Sequence, residues 1–263
     1  MLLMTRCGSA TLTTLVALIL LCGVCVPAAA AEVQQSDPYQ PWARVLVKFV
    51  NERGEVDFHA LAHDRTDLDK FLDYVAQVSP RLAPESFSSK EAKLAYYLNA
   101  YNALAMFNVI DSGIPTSLTG LTKIRFFGFK RFPVGGERMS LYALENDVIR
   151  PFGDERVHFA LNCMSVGCPQ LPREPFRADR LNQHLDGESR IFFFETRNLQ
   201  VLPDQRLVRV SSILKFYPED FLAKSSTLIA YINQYASVKI PEGYQIEFID
   251  YDWTVNSQRR QRN

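Results

Sequence analysis

Apolar residues recur along this chain in patterns that separate its elements before any chemistry is considered. Between Pro41 and Asn51, Trp42, Val45, Leu46, Phe49 and Val50 fall at helical spacing, and Gly54 follows as a stop. Val56–Leu61 reads as a short extended piece. A second amphipathic helix starts at Asp64, with Leu68, Phe71, Leu72 and Val75 on one side, and halts near Pro80. The segment Ser88–Gly113 differs from both. From Leu94 to Ile110 its only clearly polar side chains, tyrosine hydroxyls apart, are Asn99, Asn102 and Asn108. A helix that is apolar all round is buried all round. Ser88 or Ser89 is positioned to cap its start, and Gly113 to end it.

Further on, Phe126–Leu141 predicts two short strands about Gly135-Gly136, and Ser140 caps a helix reaching Arg150. Val157–Asn162 predicts a strand. Ala178–Phe194 predicts a helix, and Leu199–Leu202 with Leu207–Val210 a second hairpin about Asp204-Gln205. Ser212–Phe221 and Thr227–Tyr235 predict helices, and Tyr244–Ile249 alternates as a last strand. Segregated helices and hairpins define an α+β fold, with a buried central helix packed on a small antiparallel sheet and further helices around it.

The first 31 residues have the form of a secretory signal: Arg6, then an almost wholly apolar run from Leu12 to Val26, Pro27, and four small residues at 28–31. The competing form is an uncleaved anchor, since Cys7–Val26 reaches the roughly 20 residues needed to span a bilayer. Residues 32–41 read as a linker, 42–256 as one domain, and 257–263 as a polar basic tail. The expectation is therefore an exported protein, periplasmic or secreted, touching membrane only through the leader if that is retained. Lysine plus arginine equals aspartate plus glutamate, at 29 each, so no basic surplus points to nucleic acid.

Cleavage would leave two of the five cysteines, Cys163 and Cys168. In an oxidising compartment two such residues in one short loop favour a disulfide over free thiols. The four histidines are scattered and show no ligand spacing, so neither a metal nor a cofactor is expected.

The stretches Tyr97-Leu98-Asn99-Ala100-Tyr101-Asn102-Ala103-Leu104, Ser140-Leu141 with Leu144-Glu145, and His158-Phe159-Ala160-Leu161 through Gly167-Cys168-Pro169 together resemble a family of bacterial and plant proteins, the domain of unknown function 547. Ser211-Ser212-Ile213 with Tyr217, Asp220 and Phe221, then Tyr251-Asp252-Trp253 with Asn256, extend the resemblance over Trp42–Asn256. The resemblance implies no particular activity. In this family a histidine commonly follows the glutamate matching Glu145, and a tryptophan often precedes the tyrosine matching Tyr217. Here those places hold Asn146 and Phe216.

Candidate site residues follow. On a strand, His158, Ala160 and Asn162 would face away from Cys163, so His158 could not serve that thiol as a base. His158 is either a core histidine or a catalytic imidazole whose nucleophile lies elsewhere. Asn99 and Asn102 share a helical face and would meet His158 in one polar cluster, either as structural glue or as a pocket with Tyr101 beside it. Asp220 and Asp252 are both beside aromatic residues, and Asp252 is the expected partner fixing the His158 tautomer. Glu145 and Arg150 would form a helix-end ion pair, or Arg150 would face an anionic ligand. A central helix, then a histidine, then an acid is an order similar to that of papain-like and transglutaminase-like proteins. That likeness would put Asn99 or Tyr101 where their nucleophile stands. Two functions follow: a pocket that binds or processes a small molecule, peptide or other envelope component, as a degenerate cysteine-hydrolase-like site; or a non-catalytic exported interaction or scaffold domain.

Overall fold

The computed structural model describes residues 37–258. The leader, most of the linker and most of the basic tail lie outside them. Helix α1 (Gln40–Phe49) begins inside the expected linker, because Pro41 sits in its first turn, where no amide is needed. It buries Trp42, Val45, Leu46 and Phe49. Val56 makes only isolated bridges. The chain then enters α2 (Phe58–His63), so the extended reading of Val56–Leu61 fails beyond Asp57, whose carboxylate caps the helix by accepting from Ala60 N–H at 2.9 Å. Helix α3 (Thr66–Gln77) packs on α1, with Trp42 stacked on Phe71 at 5.7 Å between centroids.

Helix α4 (Lys90–Asp111) is the centre of the domain. Ser89 Oγ accepts from Ala92 N–H at 3.0 Å, and Gly113, with φ of 78°, ends it in the left-handed region that glycine tolerates. Fourteen of its 22 residues are buried, distributed around its whole circumference, so no face is left for solvent. Helix α5 (Gly120–Ile124) runs on as a π turn through Phe129. The hairpin β1 (Phe132–Val134) and β2 (Glu137–Met139) turns at Gly135-Gly136, and Phe132 packs against Phe107 of α4. Helix α6 (Leu141–Ala143) is capped by Ser140 and continues as a π segment to Ile149 and a 3₁₀ turn to Phe152.

The largest departure from expectation is at Val157–Asn162. Residues Val157–Ala160 form a helical turn, α7, rather than a strand. A short apolar run carries no period that separates the two. Here the tertiary contacts decide. Val157 and Ala160 belong to the apolar cluster around α4, whereas Phe159 belongs to a second cluster built from α8 (Leu181–Phe194), α10 (Pro218–Leu222) and α11 (Leu228–Tyr235) with the sheet below. A helical turn can present neighbouring residues to two cores at once. Phe159 meets Phe192 at 4.6 Å and Phe221 at 5.7 Å.

The sheet consists of β3 (Leu199–Leu202), β4 (Leu207–Ser211) and β5 (Gln245–Ile249), in that order. The β3–β4 pair is an antiparallel hairpin. The β4–β5 pair is parallel, in register Leu207↔Gln245 to Ser211↔Ile249, so the sheet is mixed. The crossover between them carries α9 (Ile213–Phe216), α10 and α11, as a parallel connection requires. Residues 254–257 then bridge to Ser117, Ser165 and Val56, tying together three distant parts of the chain. Among the described residues no helix is long and apolar enough to cross a membrane.

Candidate functional site

Where the α4 and sheet clusters meet, the π turn after α5, the α6 segment, α7, the cysteine loop, α9 and residues 251–253 enclose a cleft of about 420 Å³. Its walls are largely apolar and aromatic, with Phe127, Leu161, Ile213, Phe216 and Trp253 among them. Its polar groups are few, namely His158, Glu145, Asn146 and Lys123, whose ammonium lies 3.7 Å over the Trp253 ring, besides tyrosine hydroxyls; that is the pattern of a ligand pocket.

His158 lines this cleft with its side chain 2% exposed. Three residues of one helical stretch surround its ring. Tyr217 stacks on it at 4.0 Å and 19°, Phe221 tilts against it at 5.4 Å, and Asp220 Oδ2 lies 2.8 Å from Nε2. The same Asp220 oxygen accepts from Arg150 Nε at 2.7 Å, and Arg150 also donates to Asp220 Oδ1 at 3.0 Å. The hydrogen bond with His158 first, and that with Arg150 after it, hold the Asp220 carboxyl far below its ordinary range, despite partial burial. An ionised carboxylate only accepts, so Nε2 carries the proton and donates. Nδ1 is the ring's other nitrogen, and among the described residues no hydrogen bond engages it.

Asp252 is therefore not the partner of His158. Its exposed carboxylate accepts from Thr254 N–H at 2.8 Å and shapes the turn before the bridge at Val255. Glu145 and Arg150 do not pair either. Arg150 reaches Asp220, Glu219 and Asn146 and lies over the Tyr217 ring, so its donors are spent inside the protein rather than offered to an anionic ligand. Asn146 accepts from Arg150 at 2.8 Å.

Glu145 faces the cleft between two phenols. Tyr217 donates to Oε1 at 2.6 Å and Tyr101 to Oε2 at 3.2 Å. Burial, then the nearby Glu145 charge, push both phenols far above the ordinary tyrosine range. They remain neutral donors that orient the carboxylate.

The two asparagines are not in the cleft. Asn99 accepts from Trp42 Nε1 and Phe176 N–H, and donates to the Ala95 and Phe176 carbonyls, at 2.8–3.2 Å. Asn102 donates to Ala160 O at 2.9 Å and accepts from Asn162 N–H at 2.8 Å. Every polar atom of both amides has a partner within the protein. Asn102 ends α7 by satisfying its last backbone groups. The expected single cluster with His158 does not form: Asn99 fastens a different loop, and Asn102 reaches only the backbone beyond His158.

Cys163 and Cys168 are paired in the structure, with Cα atoms 6.2 Å apart, and both line the cleft. Because Val157–Ala160 is helical, His158 and this pair share one cavity, contrary to the opposite-face expectation. Met164 takes φ of 66° within the loop, and its N–H is held by Asn162 Oδ1 at 2.7 Å. Gly167 is required for close approach rather than for a left-handed turn: a Cβ there would lie 2.9–3.0 Å from the Tyr251 ring and the Asp252 backbone. Among the described residues no group of three or more histidine, cysteine, aspartate or glutamate side chains is placed to hold a metal.

Asp220, Tyr217 and Tyr251 are the site residues that sequence reasoning undervalued. The spacing Tyr217, Asp220, Phe221 was the available signal, since positions i, i+3 and i+4 of a helical stretch meet one neighbour.

An α+β chain organised about a buried helix, with glutamate, histidine and paired cysteines around one cleft, is the class of protein these observations define. Its residues 84–193 match the family described as "Protein of unknown function, DUF547", which bears out the resemblance seen in the sequence. Tyr101, Glu145, His158 and both cysteines fall within the match, whereas Tyr217, Asp220 and Tyr251 lie beyond it. The chain matches neither a curated protein nor a solved structure.

Proposed function

We propose that this is an exported protein whose aromatic cleft binds a peptide or a small envelope component, and that His158 acts on the bound ligand as an acid–base group. One observation carries the reading: a buried imidazole, fixed by an ionised Asp220, lines a largely apolar cleft with Nδ1 unengaged. Such a nitrogen can take a proton from a ligand or a water, and Asp220 would stabilise the resulting imidazolium. Glu145, braced by Tyr101 and Tyr217, supplies an acceptor for a ligand N–H or O–H. The apolar leader and the Cys163–Cys168 pairing both support an oxidising, extracytoplasmic setting.

A panel of end-capped tripeptide p-nitroanilides with aromatic or aliphatic side chains tests the reading. Saturable binding and turnover are expected, with turnover lost at least about 100-fold in His158→Gln while binding persists. Absence of binding by every member, together with no competition against an apolar dye in the cleft, would overturn it. The second reading, a non-catalytic interaction domain, is favoured by the exposed rim side chains Ile124, Tyr142 and Phe216. It predicts binding that is identical in wild type and His158→Gln, without turnover.

A further inference from the structure

The wall of the cleft holds an oxidised pair whose surroundings are not those of an inert staple. Cys168 is buried, whereas Cys163 is half-buried, so an incoming group meets Cys163 Sγ first. Polar groups surround both sulfurs, and one donor singles out Cys168: Cys163 N–H lies 2.9 Å from Cys168 Sγ. The Tyr251 hydroxyl is 3.1 Å from Cys168 Sγ and 3.3 Å from Cys163 Sγ, and Ser165 Oγ is 3.4 Å and 3.1 Å from them. Ser165 Oγ donates its one proton to the Tyr251 oxygen at 3.2 Å, which leaves the phenol proton directed to sulfur. Burial keeps that phenol protonated. Arg197, itself paired with Glu195 at 2.7 Å, donates to the Cys168 carbonyl at 3.0 Å and anchors the loop there. A neutral disulfide sulfur gains little from such donors. A thiolate gains a great deal, because charge-assisted hydrogen bonds are about twice as strong as neutral ones.

We propose that Cys163–Cys168 is a thiol–disulfide exchange centre that oxidises a dithiol substrate, either a small dithiol or a peptide with two cysteines. A substrate thiolate attacks Cys163 Sγ. The S–S bond breaks, its electron pair passes to Cys168 Sγ, and a mixed disulfide joins substrate to Cys163. The second substrate thiolate then attacks the substrate sulfur of that bond and expels Cys163 as a thiolate. The substrate leaves as a disulfide. The protein is left as a dithiol, having taken up two electrons and the two protons of the substrate thiols. The arrangement lowers the cost of the leaving group, and a better leaving thiolate departs faster. This activity does not depend on the acid–base role proposed for His158.

The test compares reduction of the oxidised full chain by dithiothreitol in native buffer and in guanidinium chloride, with thiols trapped by alkylation and counted by mass. A structural staple is shielded by folding and is reduced more slowly in the native protein. An exchange centre is reduced faster, and an excess of at least about tenfold is expected. Tyr251→Phe and Ser165→Ala should each slow native reduction severalfold and leave the denatured rate unchanged. Cys168→Ser should trap 5-thio-2-nitrobenzoate on Cys163 as a stable mixed disulfide. If Cys168→Ser or Tyr251→Phe does not fold, the wild-type comparison and Ser165→Ala still decide. A native rate equal to or below the denatured one overturns the proposal, as does a native rate that neither Tyr251→Phe nor Ser165→Ala alters.

Discussion

Asp220 holds His158 across 62 residues of sequence through a 2.8 Å contact to Nε2, and the same oxygen is shared with Arg150. One carboxylate thus pairs with a half-buried guanidinium and holds a buried imidazole. Asp220→Asn should cost about 1–3 kcal/mol, because it takes the charge out of the hydrogen bonds to His158 and Arg150, while Arg150 keeps Glu219 and Asn146. Denaturant titration measures this, and the loss should exceed that of Asp252→Asn, whose carboxylate holds only a turn.

Stability should fall in acid, and Asp220 sets part of that limb. Its folded pKa is depressed below the unfolded value of 3.8, so its contribution is complete above the unfolded value and is lost as pH falls through the folded one. Denaturation midpoints recorded from about pH 6 down to about pH 2 should therefore decline more steeply below about pH 4 in the wild type than in Asp220→Asn. Parallel declines in the two proteins would remove Asp220 from the account.

Asn99 and His158 should behave independently. They share no hydrogen-bond partner, so Asn99→Ala and His158→Ala should add to within about 0.5 kcal/mol in the double variant. Asn99→Ala alone should cost about 1–3 kcal/mol, from the Trp42 indole and the Phe176 backbone groups it strands.

Phe159→Ala should be among the most damaging single changes, at about 3–5 kcal/mol. The ring is fully buried and touches Phe192, Phe193 and Phe221, which ties α7 to the second cluster. A small loss with intact near-UV circular dichroism would contradict that packing.

Gly167→Ala should destabilise by about 1–3 kcal/mol through overpacking. The new methyl would press on the Tyr251 ring and the Asp252 backbone, which close the cleft beside the cysteine pair. A thermal melt reads the loss. A crystal structure of the variant should show Tyr251 displaced.

Much of this architecture was legible in the chain, and the failures have physical causes. Helix α4 announced itself because apolar side chains on every face of a long segment admit one solution. The Gly135-Gly136 turn did the same for β1 and β2, with φ of 54° and 79° at the two glycines. The Val157–Asn162 run was too short to carry a period, and packing settled it: Asn102, a helix away, takes the groups that end α7. Asp220 and Asp252 both lie beside aromatic residues in the sequence. The choice between them depended on where α10 docks against α7, which no local pattern encodes. Asn99 and Asn102 were read on one helical face, yet each amide serves a different loop, so proximity along the helix did not become contact with a common partner.

The bridges made by residues 254–257 have a consequence for how this chain comes to be folded. Asn256 Nδ2 donates to Gly54 O, 202 positions away, and Val56 N–H donates to Asn256 O. Asn256 N–H also reaches Met164 O beside the cysteines, and Leu118 N–H reaches Trp253 O. A segment synthesised after everything it touches is the clasp of the whole domain. Contacts of such long range slow the search for the native state. During vectorial synthesis the preceding residues lack these closing hydrogen bonds until that clasp emerges. If the chain is exported as proposed, lateness becomes an asset: closure waits until the chain has passed through.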